Sequence, residues 1–154
     1  MRPAAVVFDL GGTLMEYKGM PLSWSESYPK AFRYVSNALN LNLTDQQIIR
    51  SSEILTGYNP RISGRETEYT PEFLFREATF HWEKSIPMPE LIARFWEGVP
   101  LRPKIFPDTI PVLKKLKGLG MPIAAFTDLP SAMPDERFRT DINPILELLD
   151  FYVS

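Results

Sequence analysis

The chain has 154 residues, enough for one domain with a hydrophobic core or for a small core with an inserted lobe. Its composition is that of a globular protein, and its net charge of −2 gives no electrostatic reason to expect nucleic acid or an acidic membrane as a partner. Because cysteine is absent, disulfides, thiolate metal sites and a cysteine nucleophile are excluded, and we expect a cytoplasmic location.

The first predicted element is a β-strand over residues 4–10. Its continuous apolar run ends at Gly11 and Gly12, a pattern typical of a strand buried on both faces of a parallel sheet. The run is too short for a signal sequence or a membrane span. Residues 14–24 contain a glycine and a proline and are predicted to be a linker.

A block of helices is predicted next, from apolar residues repeating at helical spacing. Thr44 begins a capping-box sequence, and Thr70 followed by proline is a favourable helix start. Residues 58–70 are polar and rich in turn formers, so we expect a loop there. The predicted helices cover residues 28–39, 45–57, 71–82 and a short segment around 91–96.

The last third of the chain alternates between helices and strands. After a connection over residues 100–107, a helix is predicted around 110–117, and an apolar strand over 122–126. Another helix around 142–149 and a strand over 151–153 follow. This order predicts an α/β fold with a helical insertion after the first strand.

Asp9 is the candidate catalytic residue because it lies where the first strand ends. In open parallel sheets ligands bind outside the carboxyl ends of the strands, and two glycines allow a tight turn whose amides face an anion. A carboxylate beside such a turn can attack phosphorus, with a divalent cation relieving charge repulsion. The alternative is structural: Asp9 only caps a turn that Gly11 and Gly12 permit.

Three segments resemble motifs of the haloacid dehalogenase-like (HAD) hydrolases. Residues 6–14 (VVFDLGGTL) resemble the first motif, 123–128 (IAAFTD) the second, and 106–116 (FPDTIPVLKKL) the return into the core before the second motif. The resemblance spans the chain in the right order. It implies an incomplete Rossmann-like core with a parallel sheet, formed by residues 1–15 and 101–154, and an inserted α-helical cap over 16–100.

The resemblance also implies a function and its residues. The chain would be a Mg²⁺-dependent phosphatase-type hydrolase of a small phosphorylated metabolite, with Asp9 forming an aspartyl-phosphate. Asp9 and the carbonyl of Gly11 would hold Mg²⁺, and the hydroxyl of Thr127 would contact the phosphoryl group. The main-chain amides expected to bind phosphoryl oxygens are those of Gly11, Gly12, Thr13 and Asp128.

The sequence departs from the family pattern in two ways. Position 11 is glycine where phosphatases carry a second aspartate, the general acid and base, whose loss typically costs about 10²–10⁴ in rate. The lysine of the third motif and the acids of the fourth are not found before Ser154, so we expect a truncated chain. Whether it is an enzyme is left open; the alternative is an inactive module that binds phosphate or a protein, or a truncated product.

Truncation would leave residues 4–10 as an exposed strand edge, from which we expect self-association.

Other polar and aromatic residues are expected to be structural or on the surface rather than part of the site. Arg137 and Arg139 are expected to be loop charges rather than substitutes for the missing cation. Residues weighed as pocket or substrate contacts, but expected to be cap core or surface, are His81, Trp24, Trp82, Trp96, Arg61 and Arg65.

Overall fold

The computed structural model describes residues 3–20, 23–64 and 66–154. It has the predicted α/β composition, and the chain divides into two units. The α/β unit comprises Met1–Gly19, Leu101–Pro130 and Pro134–Ser154, and the helical unit comprises Met20–Pro100 with Ser131–Met133. In the described residues, no helix is long and apolar enough to cross a membrane.

The elements follow one another in the order expected for an α/β chain with a helical insertion. They are β1 (Val6–Phe8), β2 (Met15–Tyr17), a 3₁₀ turn (Trp24–Ser27), α1 (Tyr28–Ala38), α2 (Asp45–Gly57), α3 (Pro60–Ser63), α4 (Pro71–Thr79), α5 (Met88–Gly98), β3 (Pro103–Ile105), α6 (Thr109–Gly118), β4 (Ile123–Phe126), α7 (Asp135–Asp141), α8 (Asn143–Leu146) and β5 (Phe151–Val153).

The main sheet of the α/β unit is parallel. Within the described residues its strand order is β1-β4-β5, with Val6 opposite Ile123 and Ala124 opposite Phe151. Helix α6 packs against β4 and buries Ile123. Because parallel strands end at the same edge, this register brings the residues after β1 and β4 together.

A second, two-stranded sheet pairs β2 with β3, antiparallel, with Met15 opposite Ile105. These strands correct the prediction of a linker over residues 14–24 and a plain connection over 100–107. Each strand has three residues, too few to show the alternation of apolar and polar residues by which a strand is predicted. Pairing between the two distant segments stabilises both strands. Lys104 supports the pairing across the strands through an ion pair of 3.1 Å with Glu16.

The helical unit is built around an aromatic cluster. Phe32 is fully buried, and its ring centroid lies 6.2 Å from Phe75, 5.9 Å from Trp82 and 4.8 Å from Phe95. Trp82 donates its indole N–H to Ser51 Oγ at 3.0 Å. The aromatic side chains therefore form the core of this unit, as predicted.

Helix ends follow the predicted capping in two places. Thr44 and Gln47 form both bonds of the capping box, and Thr70 Oγ1 accepts from the amide of Phe73 at 3.3 Å. The loop predicted over 58–70 contains the short α3. Helix α7 lies in the segment that was expected to be a loop, and α8 is a shorter form of the helix predicted around 142–149. Pro144 lies in the first turn of α8, where a missing N–H is tolerated, which explains why α7 and α8 are separate helices.

Candidate active site

Asp9 lies beyond the carboxyl end of β1 and is exposed to solvent. Thr13 Oγ1 donates to Asp9 Oδ2 at 3.0 Å, and Thr127 Oγ1 lies 3.4 Å from Asp9 Oδ1. Thr127 follows β4, the neighbouring parallel strand, and is only 5% exposed. Thr127 and Asp9, which are 118 positions apart in sequence, are thus brought together by the parallel register.

The turn after Asp9 is organised by one carbonyl. The amides of Thr13, Leu14 and Met15 all donate to the carbonyl oxygen of Leu10, at 2.9–3.2 Å. Gly12 has a φ of +80°, which a residue with a Cβ adopts only with strain. The backbone therefore favours glycine at position 12, and the turn leads directly into β2.

The amides available for an anion differ from those predicted. Gly12 N–H donates to Met15 O at 2.8 Å and Thr13 N–H to Leu10 O at 3.2 Å, so these two amides are already used inside the turn. In the described residues, the amides of Leu10 and Gly11 make no hydrogen bond. Of the predicted turn amides, only that of Gly11 stays without an acceptor in the described residues. The amide of Leu10 was not predicted, and its one signal in the sequence is its position directly after Asp9.

Thr127 can offer only its hydroxyl, because its amide donates to Val153 O at 3.1 Å. The hydroxyl has two acceptors within reach, Asp9 Oδ1 and the carbonyl of Asp128 at 3.5 Å. Both contacts are long for an O–H donor, so the hydroxyl is weakly held and can turn to another acceptor. The amide of Asp128 makes no hydrogen bond within the described chain.

The two arginines considered as replacement cations lie in α7, not in the predicted loop. Arg137 Nε pairs with Asp141 at 3.4 Å, while Arg139 pairs with Asp135 and stacks over the Tyr152 ring at 4.5 Å. Both guanidinium groups are thus engaged within the α/β unit. Neither supplies the cation that the third motif would provide.

Asp135 anchors the end of the chain to α7. Tyr152 Oη and Ser154 Oγ donate to its carboxylate at 2.8 and 2.9 Å. Burial opposes ionisation of Asp135, but the hydrogen bonds from Arg139, Tyr152 and Ser154 outweigh it and lower the pKa of this carboxyl. Burial, aided by the bond to Asp135, raises the pKa of Tyr152 to about 12.

A second polar contact ties β2 to α7. Tyr17 Oη donates to Asp141 Oδ2 at 2.8 Å, and the Tyr17 ring lies 6.4 Å from Phe138. Burial is the main cause that raises the pKa of Tyr17 well above its ordinary value, with the hydrogen bond to Asp141 second. The strand that follows the Asp9 turn is therefore held by α7.

The oxygen atoms near Asp9 suit a hard cation such as Mg²⁺. The carboxylate of Asp9 is exposed, and the carbonyl of Gly11 accepts no hydrogen bond from the described residues. The described chain contains no group of three or more histidine, aspartate or glutamate residues that could hold a metal. These donors fit Mg²⁺ chemically, but the protein offers a small part of its usual shell of about six ligands.

His81 belongs to the helical unit and lies after α4. Its Nε2 lies 3.3 Å from the carbonyl of Gln47, to which it donates, while its buried Nδ1 has no hydrogen-bond partner among the described residues. This contact supports a structural interpretation of the histidine. Arg65 and the side chain of Arg61 lie outside the described residues.

Comparison with known proteins agrees with the architecture. A HAD phosphatase from Thermococcus onnurineus aligns with 98% of this chain and 61% of its own, at 20% identity and a TM-score of 0.50. A predicted phosphoglycolate phosphatase from Haemophilus somnus matches 97% of this chain and 61% of its own, at 15% identity and a TM-score of 0.43. A dehalogenase matches 97% of this chain and 61% of its own, at 20% identity and a TM-score of 0.41. No family model and no curated protein matches the chain.

The chain therefore has the haloacid dehalogenase-like fold, as its motifs predict. It spans about three fifths of the length of the solved structures that it matches.

Proposed function

We propose that this chain carries the nucleophile-bearing part of a HAD-type phosphohydrolase that acts on a small phosphorylated metabolite. The observation that carries the proposal is the convergence of Thr13 and Thr127 on the exposed carboxylate of Asp9, at the carboxyl ends of adjacent parallel strands. The core in this proposal is residues 1–15 and 101–154, and the cap is residues 16–100. A cytoplasmic location and self-association through the β1 edge also remain predictions.

In the proposed reaction, a carboxylate oxygen of Asp9 attacks phosphorus, a P–O bond forms, and the ester P–O bond breaks. Oδ1 is the freer oxygen, because its hydrogen bond from Thr127 is longer than that from Thr13 to Oδ2. Water then hydrolyses the aspartyl-phosphate and regenerates Asp9. With glycine at position 11, the departing alkoxide takes its proton from solvent, which predicts slow turnover of ordinary esters.

Phosphoryl oxygens would be bound by the free amides of Leu10 and Gly11, the hydroxyl of Thr127 and the amide of Asp128. Donors placed in advance around developing negative charge stabilise it without reorganisation. Mg²⁺, held by the Asp9 carboxylate and the Gly11 carbonyl, would supply charge neutralisation when bound. With so few protein ligands, we expect weak Mg²⁺ binding that improves when phosphate is present.

A second candidate function is phosphate binding without catalysis. It is favoured by Gly11 and by the pairing of Arg137 and Arg139 with Asp141 and Asp135, which leaves the site without its expected acid and cation. In this case the donors around Asp9 retain affinity for a phosphate group, while no covalent intermediate accumulates.

The test is chemical trapping of the intermediate. The chain is incubated with radiolabelled acetyl phosphate and Mg²⁺ and then denatured, and label that hydroxylamine removes is counted. The proposal predicts labelling of the native protein, loss in Asp9→Asn, and retention in Asp108→Asn. The control is matched because the side chain of Asp108 makes no capping bond at the start of α6.

Three outcomes would count against the first candidate. If the native chain is unlabelled but binds inorganic phosphate in calorimetry, and Thr127→Val weakens that binding about 10-fold or more, the non-catalytic function stands. If label persists in Asp9→Asn, Asp9 is not the nucleophile. If neither labelling nor phosphate binding is detected, both candidates are wrong for this chain.

A further inference from the structure

A short segment that follows β4 belongs to the helical unit. The chain leaves the α/β unit after Pro130, contributes Ser131–Met133 to the helical unit and returns to the α/β unit at Pro134. These three residues are here called the crossing segment. Because the crossing segment comes soon after Thr127, whatever holds it also limits the loop that begins at this residue of the candidate site.

One side chain of helix α5 anchors the crossing segment. Trp96 Nε1 donates to the carbonyl oxygen of Ala132 at 2.8 Å, and the two residues are only 2% and 5% exposed. No backbone amide in the described part of the chain donates to that carbonyl. A buried carbonyl needs a hydrogen-bond donor, and here the indole of Trp96 supplies it.

Ala132 has a backbone conformation that alanine normally avoids. Its φ is +66°, in the left-handed region where a Cβ crowds the neighbouring carbonyl oxygen. This region disfavours a residue with a Cβ by about 5- to 30-fold in population, a penalty that glycine does not carry. A strained residue persists only where its surroundings hold it, and the bond from Trp96 and the burial of both residues do so here.

Two prolines limit how the rest of the crossing segment can adjust. Pro130 precedes it and Pro134 follows it, and the ring of proline fixes φ at about −65°. Met133 is restricted to extended backbone because it precedes a proline. The remaining backbone freedom therefore lies at Ser131 and Ala132, so a change of φ at Ala132 would redirect the loop.

We propose that Trp96 is a positioning residue: by holding Ala132 at its positive φ, it fixes the loop that follows β4. This loop carries the Thr127 hydroxyl and the Asp128 amide. Its other end is already fixed, because the Thr127 amide donates to Val153 O at 3.1 Å. The use of these two donors for phosphate rests on the proposed function, whereas the restraint on the loop does not.

Removing the indole N–H should release the restraint. Without its donor, the buried carbonyl of Ala132 favours a conformation in which it finds another partner, and this residue then leaves the left-handed region. Phosphate affinity falls in proportion to the fraction of molecules that keep the present loop. Glycine at position 132 carries no strain, so it should keep the loop in place even without the indole donor.

Nuclear magnetic resonance on the full chain tests the proposal through the amide signals of Asp128 and Leu129. In Trp96→Phe both signals should move, and adding Ala132→Gly should return them toward their native positions. Calorimetry with inorganic phosphate is the second measurement. Trp96→Phe should weaken binding at least about 5-fold, and the double variant should recover most of the loss.

Trp82→Phe is the matched control. It removes an indole N–H from another buried hydrogen bond of the same unit, to Ser51 Oγ at 3.0 Å, and should leave the signals and the phosphate affinity unchanged. Circular dichroism establishes that each variant is folded. If Trp96→Phe is not, 3-benzothienylalanine at position 96 takes its place, because it keeps both rings and has sulfur instead of the N–H.

Several outcomes would overturn the proposal. They are unmoved signals in the folded Trp96→Phe protein, equal movement in Trp82→Phe, and movement that Ala132→Gly does not reverse. Moved signals with an unchanged phosphate affinity would also overturn it. If the native chain does not bind phosphate, the proposed function fails, and the amide signals alone decide whether Trp96 positions the loop.

Discussion

The helical unit and the α/β unit complete their cores to different degrees. In the helical unit, Phe32, Phe75 and Phe95 are fully buried among their neighbours. In the α/β unit, the sheet is buried on one side only, and Val7 and Phe151 remain in water on the other. Helices satisfy their backbone hydrogen bonds internally, whereas a sheet depends on further strands and layers for its edges and faces. In the described residues, apolar side chains of the sheet therefore stay in contact with water, whereas the aromatic core of the helical unit does not.

The largest effect is expected from Phe32→Ala in the aromatic cluster. Removing this ring leaves a cavity among Phe75, Trp82 and Phe95, at a cost of about 3–5 kcal/mol in the free energy of unfolding. Tryptophan fluorescence during urea unfolding measures this cost in the helical unit, because Trp24, Trp82 and Trp96 all belong to it.

Phe80→Ala is the matched control, since Phe80 is 63% exposed and its removal should change stability by less than about 1 kcal/mol. Equal losses in the two variants would mean that the cluster does not form the core of this unit. A further check is far-UV circular dichroism, whose signal also contains the α/β unit. A second transition seen only by circular dichroism would show that the two units unfold separately.

A smaller loss is expected from Gly98→Ala at the end of α5. The added Cβ would lie 2.8 Å from Tyr34 Cβ and 2.9 Å from Ala31 Cα, both on α1. Because one of these atoms is backbone, the helices must separate, which costs about 1–3 kcal/mol despite the higher helix propensity of alanine. Gly57→Ala, where a Cβ meets nothing within 4 Å, is the control. If both variants are equally stable, α1 and α5 are not as closely packed as described.

The smallest effect concerns Tyr17 and the pH dependence of the α/β unit. Its pKa is raised in the folded state, so its contribution is complete below the ordinary value of 10.0 and is lost as the pH rises above it. Tyr17→Phe should cost about 0.5–1.5 kcal/mol near neutral pH through the lost bond to Asp141.

The same variant should flatten the fall in stability that begins above about pH 10, measured by thermal melts followed by circular dichroism. Tyr34→Phe, at an exposed tyrosine of the helical unit, is the control. An unchanged pH profile in Tyr17→Phe would contradict the burial of this hydroxyl against α7.

Sequence patterns predicted the regular elements where the signal is local. The helix over Asp45–Gly57 begins at its predicted capping box, and the strand Phe151–Val153 has its predicted bounds. The antiparallel pair of β2 and β3 was missed, because three-residue strands carry no recognisable periodicity and depend on a partner more than 80 residues away in sequence. Helix α7 was also missed, because of its seven residues Phe138 is the buried one, and a single apolar residue gives no helical repeat.

In the candidate site too, some features could be recognised from local sequence and others needed the folded chain. Asp9, the glycine turn and Thr127 are recognisable in the sequence because strand ends and short motifs are local features. Which amides remain free was decided by the turn itself, where the Leu10 carbonyl collects three donors and Met15 O takes the amide of Gly12. The pairing of the α7 arginines with Asp135 and Asp141 likewise needed the folded helix.

Local sequence patterns were enough to predict the α/β class, the helical insertion and a strand that ends at Asp9, since periodicity, caps and strand-end motifs depend on residues close in the chain. The partner of β2, the hydrogen bonds around Asp9 and the exposed side of the sheet became known from the folded chain. Those features depend on contacts between segments that are far apart in the sequence, and local sequence patterns do not specify which segments meet.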